Sequence, residues 1–584
     1  MFAENRFGGA RGRRWSGIAI AWAIACPIAD SAPAAVVVDG SRIVVTSRTM
    51  RAEFDGPALV SLRPAGADIE FVHATRPAVS LDAVFCNWNL LGVDKKQTVT
   101  VKPLSDRAAL VIVEGADSER HLLIGVDEAT GDLLLTPSAT TNRRALASVR
   151  WTIAWHEGVS LVLPCINGLR VDVDRPWPEA RRFAWPFEWN AQLAIAERGG
   201  YACMVHSEDT ARTFKALQLH RPEGRLELSF DVDVPGPIWP QRTAGGITWH
   251  VNVYEGDWKA PATRYRDWMA RTYDLAGKRA HRPAWVRDIT LAVCWARPRI
   301  DVLDALATVH PPEQTLIHLS RWRDEKYDVN YPDYTPSAET IAYMKAARER
   351  GFHVMPHFNY FACYYEHPFY PKVRDFQIRD ARRNEPQGWH WPPDTHEYTR
   401  MAYIHPGFSI WRHKLIDVLL AACDRLGTDV AFIDQTLCTW NTDNGLVEGM
   451  TTIDGMVRLH EEFDMIRPGL VLVGEGLNEI SFQRECFAQA HIHEGWSGIE
   501  AKHVESAHPI CAFLWDGHTK LIGYFKLAPN DKFFDLAVAT YERMGALPTL
   551  IVNTPEQVLE PSETTQRVLD AAKGITTRPT EPGQ

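Results

Sequence analysis

Two acids stand where the sequence would otherwise be apolar. Asp434 closes the run Val430-Ala431-Phe432-Ile433, and Glu475 follows Leu470-Val471-Leu472-Val473 with only Gly474 between. A carboxyl at the end of a buried apolar run is costly unless pairing or chemistry retains it. One ionised and one protonated carboxyl facing a common cavity can open an acetal. The first attacks the anomeric carbon, and the second protonates the leaving oxygen and then activates water. Donors hold the charge on one member, while burial and like charge raise the pKa of the other. On this reading Asp434 is the nucleophile and Glu475 the acid/base. Glu494 and Asp516 are the rival acids, with Glu479 behind them.

The groups around these acids suit a hydroxyl-rich substrate. Trp295, Arg321, Trp322, Asp324, His357, Asn359, Gln435, His493 and Trp515 lie at or just past the ends of predicted strands. Indoles offer flat apolar faces with one donor, and the amides, imidazoles and charged groups can bond hydroxyls. Metal-dependent hydrolysis is the competing chemistry, because His353, His357, His491, His493 and His518 are possible ligands. The first predicted strand ends Val293-Cys294-Trp295 and lacks the paired histidines common in barrel metal sites, so the expectation is no metal and no cofactor.

Such residues need a frame that brings strand ends together. From Asp288 onward apolar strand-like runs alternate with helical periodicity. The predicted strands are Ile289–Cys294, Thr315–Leu319, Phe352–His357, Asp429–Asp434, Leu470–Glu475, Ala488–His493, Pro509–Trp515 and Pro548–Asn553. Helices are expected at Ser337–Arg350, Ile410–Leu426, Ile453–Met465, Lys532–Met544 and Thr564–Ala572. Helices between successive strands imply parallel pairing, and eight units fit a (β/α)8 TIM barrel with its site at the strand C-termini. A doubly wound open sheet is the rival, but no Gly-rich phosphate loop follows any strand. Before this region, Val36 to about Trp268 reads as many short alternating strands, which indicates a β-sandwich. Pro261–Tyr273 is then a helix and Ala276–Pro283 a linker. The domain expectation is a signal peptide over 1–35, a sandwich over 36–275, a catalytic barrel over 283–575 and a disordered tail over 576–584. The third strand-to-helix connection, about Asn359 to Phe408, is long and aromatic; it reads as a sugar-binding wall, a small packed subdomain, or both. Trp185 and Trp189 are candidates to bring a sandwich loop to the same crevice.

Composition narrows the class. The chain has 584 residues and a net charge of −10, against a general nucleic-acid binder. Its 21 Trp are either core filling or stacking platforms. Arg11, Arg13 and Arg14, the apolar stretch Gly17–Ile28 and small residues at Ala32–Ala35 have the order of a signal peptide. Export to the periplasm or medium is expected, with lipoprotein anchoring at Cys26 as the alternative. No later run is long enough for a stable membrane span. The remaining cysteines are scattered without a C-x-x-C pair, so buried free thiols are expected, with one or two disulfides as the alternative. Oligomeric state is not legible in the sequence.

A sandwich leading into Trp258-Lys-Ala-Pro-Ala-Thr-Arg-Tyr-Arg-Asp-Trp268, followed by a barrel with Ala431-Phe432-Ile433-Asp434-Gln435 on strand four, resembles a group of retaining α-glycosidases with a supersandwich and a barrel. These include glycoside hydrolase families 31, 36, 101 and 129, and the chain most resembles domain-of-unknown-function family 6259. The resemblance implies a glycosidase acting on α-linked glycans, with an oligosaccharide or glycoconjugate as partner. In families 101 and 129 it maps the nucleophile to Asp434 and the acid/base to Glu475. In families 31 and 36 the acid lies on strand six, where this chain offers Glu494. A non-catalytic glycan-binding protein on a degenerate barrel is the alternative reading.

Overall fold

The computed structural model describes residues 34–73, 80–90, 97–115, 117–174, 177–325, 328–390, 400–492 and 498–575. The N-terminal half is antiparallel. A four-stranded meander, Ala35–Asp39, Arg42–Thr46, Met50–Asp55 and Ala58–Pro64, opens it. A ten-stranded sheet runs from Leu169–Asp172 at one edge to Thr98–Ser105 at the other, with Leu133–Thr141 and Trp249–Glu255 near its middle. A five-stranded sheet has the order Arg181–Trp185, Lys215–His220, Glu227–Asp233, Leu146–Ala154, Leu81–Phe85.

The alternation expected from the sequence has a direct cause. Along Ala108–Gly115 the side chains of Ala109, Val111 and Val113 are buried while their neighbours are partly exposed, the two-residue period of a half-buried strand. Leu146–Ala154 departs from it because every residue is buried. Its polar face is satisfied across the sheet. Arg150 makes two bonds to Asp231, at 2.7 and 2.9 Å, and the Thr152 and Ser229 hydroxyls meet at 2.9 Å. Buried charges of this kind persist only when paired in this way.

The C-terminal half is an eight-stranded parallel barrel. In chain order its strands are Leu291–Ala296, Thr315–Leu319, His353–Asn359, Val430–Asp434, Val471–Glu475, Glu485–Gln489, Lys520–Ile522 and Thr549–Leu550. The eighth pairs with the first, and a single parallel bridge, Ile522 to Leu547, joins the seventh to the segment entering the eighth. The sheet is therefore nearly closed, not a doubly wound open one. Helices Ile300–Val309, Ala338–Arg350, Ser409–Leu426, Thr452–Ile466, Phe534–Met544 and Glu563–Gly574 pack outside it. Their starts carry the expected caps. Ser337 and Ser562 accept backbone N–H bonds, and Thr451 forms a capping box with Asp454.

Two predicted strands are placed differently. Pro509–Trp515 is not a strand: Ile510–Trp515 is a short helix that buries Ile510, Cys511, Leu514 and Trp515, and the seventh strand follows it at Lys520–Ile522. The sixth strand ends at Gln489, four residues earlier than expected. Among the described residues only a 3-10 turn, Ser481–Gln483, separates the fifth and sixth strands.

The tryptophans are largely core. Trp151, Trp155, Trp185, Trp189, Trp249, Trp322, Trp411 and Trp515 are fully buried. Nine cysteines are free and eight of them buried, so the disulfide alternative is not realised among the described residues. No described helix is long and apolar enough to cross a membrane.

Candidate active site

Parallel strands ending in polar residues bring Asn359, Asp434, Glu475 and Gln489 to one rim. Asp434 and Glu475 end adjacent strands and are 8% and 7% exposed. A hydrogen bond joins the two carboxyl groups. Two buried carboxyls in contact cannot both ionise cheaply, so the pair retains a proton. The donors decide where it rests. Glu475 accepts the backbone N–H of Gln435 at 2.9 Å, lies 3.0 Å from His491 Nε2 and is bonded by Tyr524. These contacts hold Glu475 below the usual carboxylate range against the opposing effect of burial. Asp434 receives the Asn359 amide at 3.0 Å. Burial, Glu475 and Asp328 drive its pKa well above the ordinary value. Within the pair the proton therefore sits on Asp434.

The strand-three end organises this rim. Asn359 donates to Asp434 Oδ2 and, at 2.9 Å, to Gln435 Oε1, while its own Oδ1 accepts the N–H groups of Phe361 and Ala362. Gln435 is at φ 64°, a left-handed conformation that turns its N–H onto Glu475. Non-glycine residues hold such a backbone where the surroundings over-determine it. Its side chain reaches the Tyr403 hydroxyl at 3.2 Å.

Other expected residues take varied positions. Trp295 lies beside the site, its ring stacked on Tyr524 at 5.5 Å and its indole donating to the Tyr524 carbonyl. His357 Nε2 is 3.9 Å from Asp434. Trp322 is buried behind the third strand and bonds the His357 carbonyl at 2.9 Å, so it supports the rim from beneath. Arg321 and Asp324 are exposed in the loop after the second strand. Trp515 is buried in the short helix before the seventh strand, against Phe482, and Asp516 is exposed at that helix's end. Both therefore lie toward the N-terminal end of the seventh strand, not at its C-terminal mouth. Glu479 is not at the rim either: it accepts from Gln192, Tyr265 and Tyr273 of the N-terminal half. His493 and Glu494 lie outside the described residues.

The histidines offered as metal ligands diverge. His353 begins the third strand and stacks on Trp285 at 3.8 Å, and His518 precedes the seventh strand, beside Arg282. Of the candidates among the described residues, only His357 and His491 are near the acids. The one metal-like cluster among the described residues is Asp132, His206 and His250 in the N-terminal half, where Arg264 already occupies Asp132. The long connection carries a three-stranded sheet, Ala362–Tyr364, Gly388–His390 and Arg400–Tyr403. Tyr360, Phe361 and Tyr403 stack in it at 4.1 Å spacings. Trp185 and Trp189 remain in the sandwich core; Phe187 is the ring that reaches the barrel loop, edge-on to Trp440 at 5.5 Å.

Sequence reasoning missed Tyr524, Tyr403, His318 and Gln489. Tyr524 follows the seventh strand, and the signal for it was Leu521-Ile522-Gly523 rather than the longer apolar run before. Gln489 was hidden by the late placement of the sixth strand.

Comparisons with known proteins extend this picture. A family model described as "Domain of unknown function (DUF6259)" matches residues 247–444. No curated protein matches the chain in sequence. Among solved structures, the ligand-free alpha-N-acetylgalactosaminidase NagBb from Bifidobacterium bifidum superposes with a TM-score of 0.66 at 14% identity, covering 91% of this chain and 93% of that one. The complex of the same enzyme with Gal-NHAc-DNJ gives 0.65 at 14% identity, over 91% and 92%. A GH31 family sulfoquinovosidase from E. rectale gives 0.51 at 12% identity, over 92% and 82%. The chain therefore carries a DUF6259 match across the start of its barrel and shares, over nine-tenths of its length, the sandwich-and-barrel fold of these glycosidases.

Proposed function

We propose that the protein is a glycoside hydrolase that cleaves α-linked glycans with retention of configuration, using Asp434 and Glu475. The observation that carries this reading is the pair of buried, mutually hydrogen-bonded carboxyls at the ends of adjacent barrel strands. A pair this close is nearer the spacing of a retaining pair than the gap of about 6.5–9.5 Å in which an inverting pair keeps its water. A sugar entering the site parts the two groups toward the roughly 5–5.5 Å of a retaining pair. The retained proton passes from Asp434 to Glu475 as it does so. Asp434 then attacks the anomeric carbon, and Glu475 gives its proton to the departing oxygen. Glu475 next takes a proton from water, which displaces Asp434 and regenerates the pair. Asn359 orients the Asp434 carboxylate, and Gln435, His491 and Tyr524 orient Glu475.

The resting proton on Asp434 favours a second reading, in which Glu475 attacks and Asp434 is the acid. Alanine variants separate the two with nitrophenyl and alkyl α-glycosides. Loss of the nucleophile abolishes turnover of both substrates. Loss of the acid spares nitrophenyl glycosides, which barely need protonation, and external azide rescues it with retained configuration. The expectation is that Asp434→Ala is inactive, by about 10⁴-fold or more, and Glu475→Ala shows the leaving-group pattern. The reverse result exchanges the roles, and wild-type turnover in both variants ends the two-carboxylate reading. Glu494→Ala showing the leaving-group pattern instead would move the acid to the sixth strand.

Export belongs to the same proposal and rests on the order of residues 11–35. Protein made in a Gram-negative host is expected to begin between about Cys26 and Val36 by intact mass. An N-terminus at Met1 in the periplasmic fraction would contradict cleavage.

A further inference from the structure

A chain of hydrogen bonds beneath the carboxyl pair fixes the proton positions of two histidines. Trp295 lies at φ 55°, in a register shift between the first and second barrel strands. Its backbone N–H points at His318 Nδ1, 3.3 Å away. A backbone N–H can only donate, so His318 Nδ1 accepts and the ring carries its proton on Nε2. The Gln489 amide lies 3.2 Å from the same Nδ1 and is compatible with that assignment. His318 Nε2 is 3.1 Å from His357 Nδ1. With His318 donating, His357 Nδ1 accepts and its proton is on Nε2, the nitrogen nearest Asp434. The rings are 0% and 1% exposed. Burial lowers His318 to about 3 and His357 well below its ordinary value, so both stay neutral. The charged groups acting on them are Glu475 for His318, and Asp434 and Arg323 for His357.

We propose that His318 is a positioning residue that locks His357 as a neutral imidazole with its N–H on Nε2, the nitrogen 3.9 Å from Asp434. This rests on the glycosidase reading with Asp434 as nucleophile. When the shared proton moves to Glu475, the new charge on Asp434 meets an N–H dipole 3.9 Å away whose orientation is already set. A cationic His357 would instead compete as a proton source and blunt the nucleophile. The register shift at Trp295 is then the start of the device, since a regular strand would direct that N–H to its neighbour.

The test is a long-range proton–nitrogen correlation spectrum of the full chain labelled with nitrogen-15 histidine, recorded from about pH 5 to 8. Both rings should be singly protonated at Nε2 throughout. His318→Phe removes the donor and should release His357 toward the Nδ1–H form, with kcat falling about ten- to a hundredfold and KM little changed. His318→Gln keeps a donor at that place and should restore the Nε2–H signature and most of kcat. An Nδ1–H or doubly protonated His357 in the wild type overturns the proposal even if the variants fail to fold. So does an unchanged His357 signature in a folded His318→Phe. A wild type with both Nε2–H signatures and no glycosidase turnover retains the lock but removes the reaction it serves.

Discussion

Glu485 is a buried carboxyl between the barrel wall and the helix layer. It begins the sixth strand, fully buried, with its carboxyl packed against Gly474 and 4.0 Å from His460 Nε2 on the Thr452–Ile466 helix. Burial lifts its pKa to about 8, against the Thr436 and Ser481 hydroxyls, which favour the ion. An unfolded glutamate ionises near 4.3. Between those values the native state holds a proton that the unfolded chain has lost, so stability falls as pH rises from about 4.5 to about 8. Glu485→Gln keeps the shape without the proton. It should flatten that part of the profile and, by pH 8, stabilise the fold by roughly a few kcal/mol at most. Chemical denaturation at pH 5 and pH 8 checks this; equal slopes in wild type and variant would refute it. Asp434 and Glu475 were legible because each ends an apolar run. Glu485 was not, because a single acid before Cys486-Phe487-Ala488 reads as the polar entry to a strand.

At the scale of elements, the strands that were read correctly are those with four or more consecutive apolar or alternating residues, such as Thr315–Leu319 and Val430–Asp434. The seventh strand has three residues, too few for any period to show. The apolar run before it drew the assignment, although burial of Ile510, Cys511, Leu514 and Trp515 follows a helical spacing. The loop after the fifth strand is anchored rather than free. Four residues past Glu475, the carboxylate of Glu479 accepts from Gln192 N and Nε2, at 3.1 and 2.9 Å, and from the Tyr265 and Tyr273 hydroxyls, at 3.0 and 2.6 Å. Glu479→Gln places an amide against donors and should cost about 2–4 kcal/mol. Because the same loop starts at Glu475, kcat measured well below the melting temperature should fall as well. A thermal melt together with kcat on a nitrophenyl glycoside tests both; a destabilised variant with unaltered kcat would show that the anchor holds the fold and not Glu475.

Across the whole molecule, the two halves meet through polar groups and close backbone approaches. Asn167 donates to the His491 carbonyl at 3.2 Å, and Asn190 accepts from the Glu479 N–H at 2.7 Å. At Gly168 a β-carbon would run into the His508 carbonyl, and at Gly236 into that of Thr442, so neither site admits a side chain without parting the halves. The Gln192–Glu479 bond spans 287 residues of sequence, and the Tyr265–Glu479 bond 214. During synthesis the sandwich emerges from the ribosome first. Its buried Lys215, held by Gln192 and Asp209, and the hydroxyls of Tyr265 and Tyr273 then wait for a carboxylate not yet made. The nascent N-terminal half is thus a socket without its plug until the fifth barrel strand has left the exit tunnel.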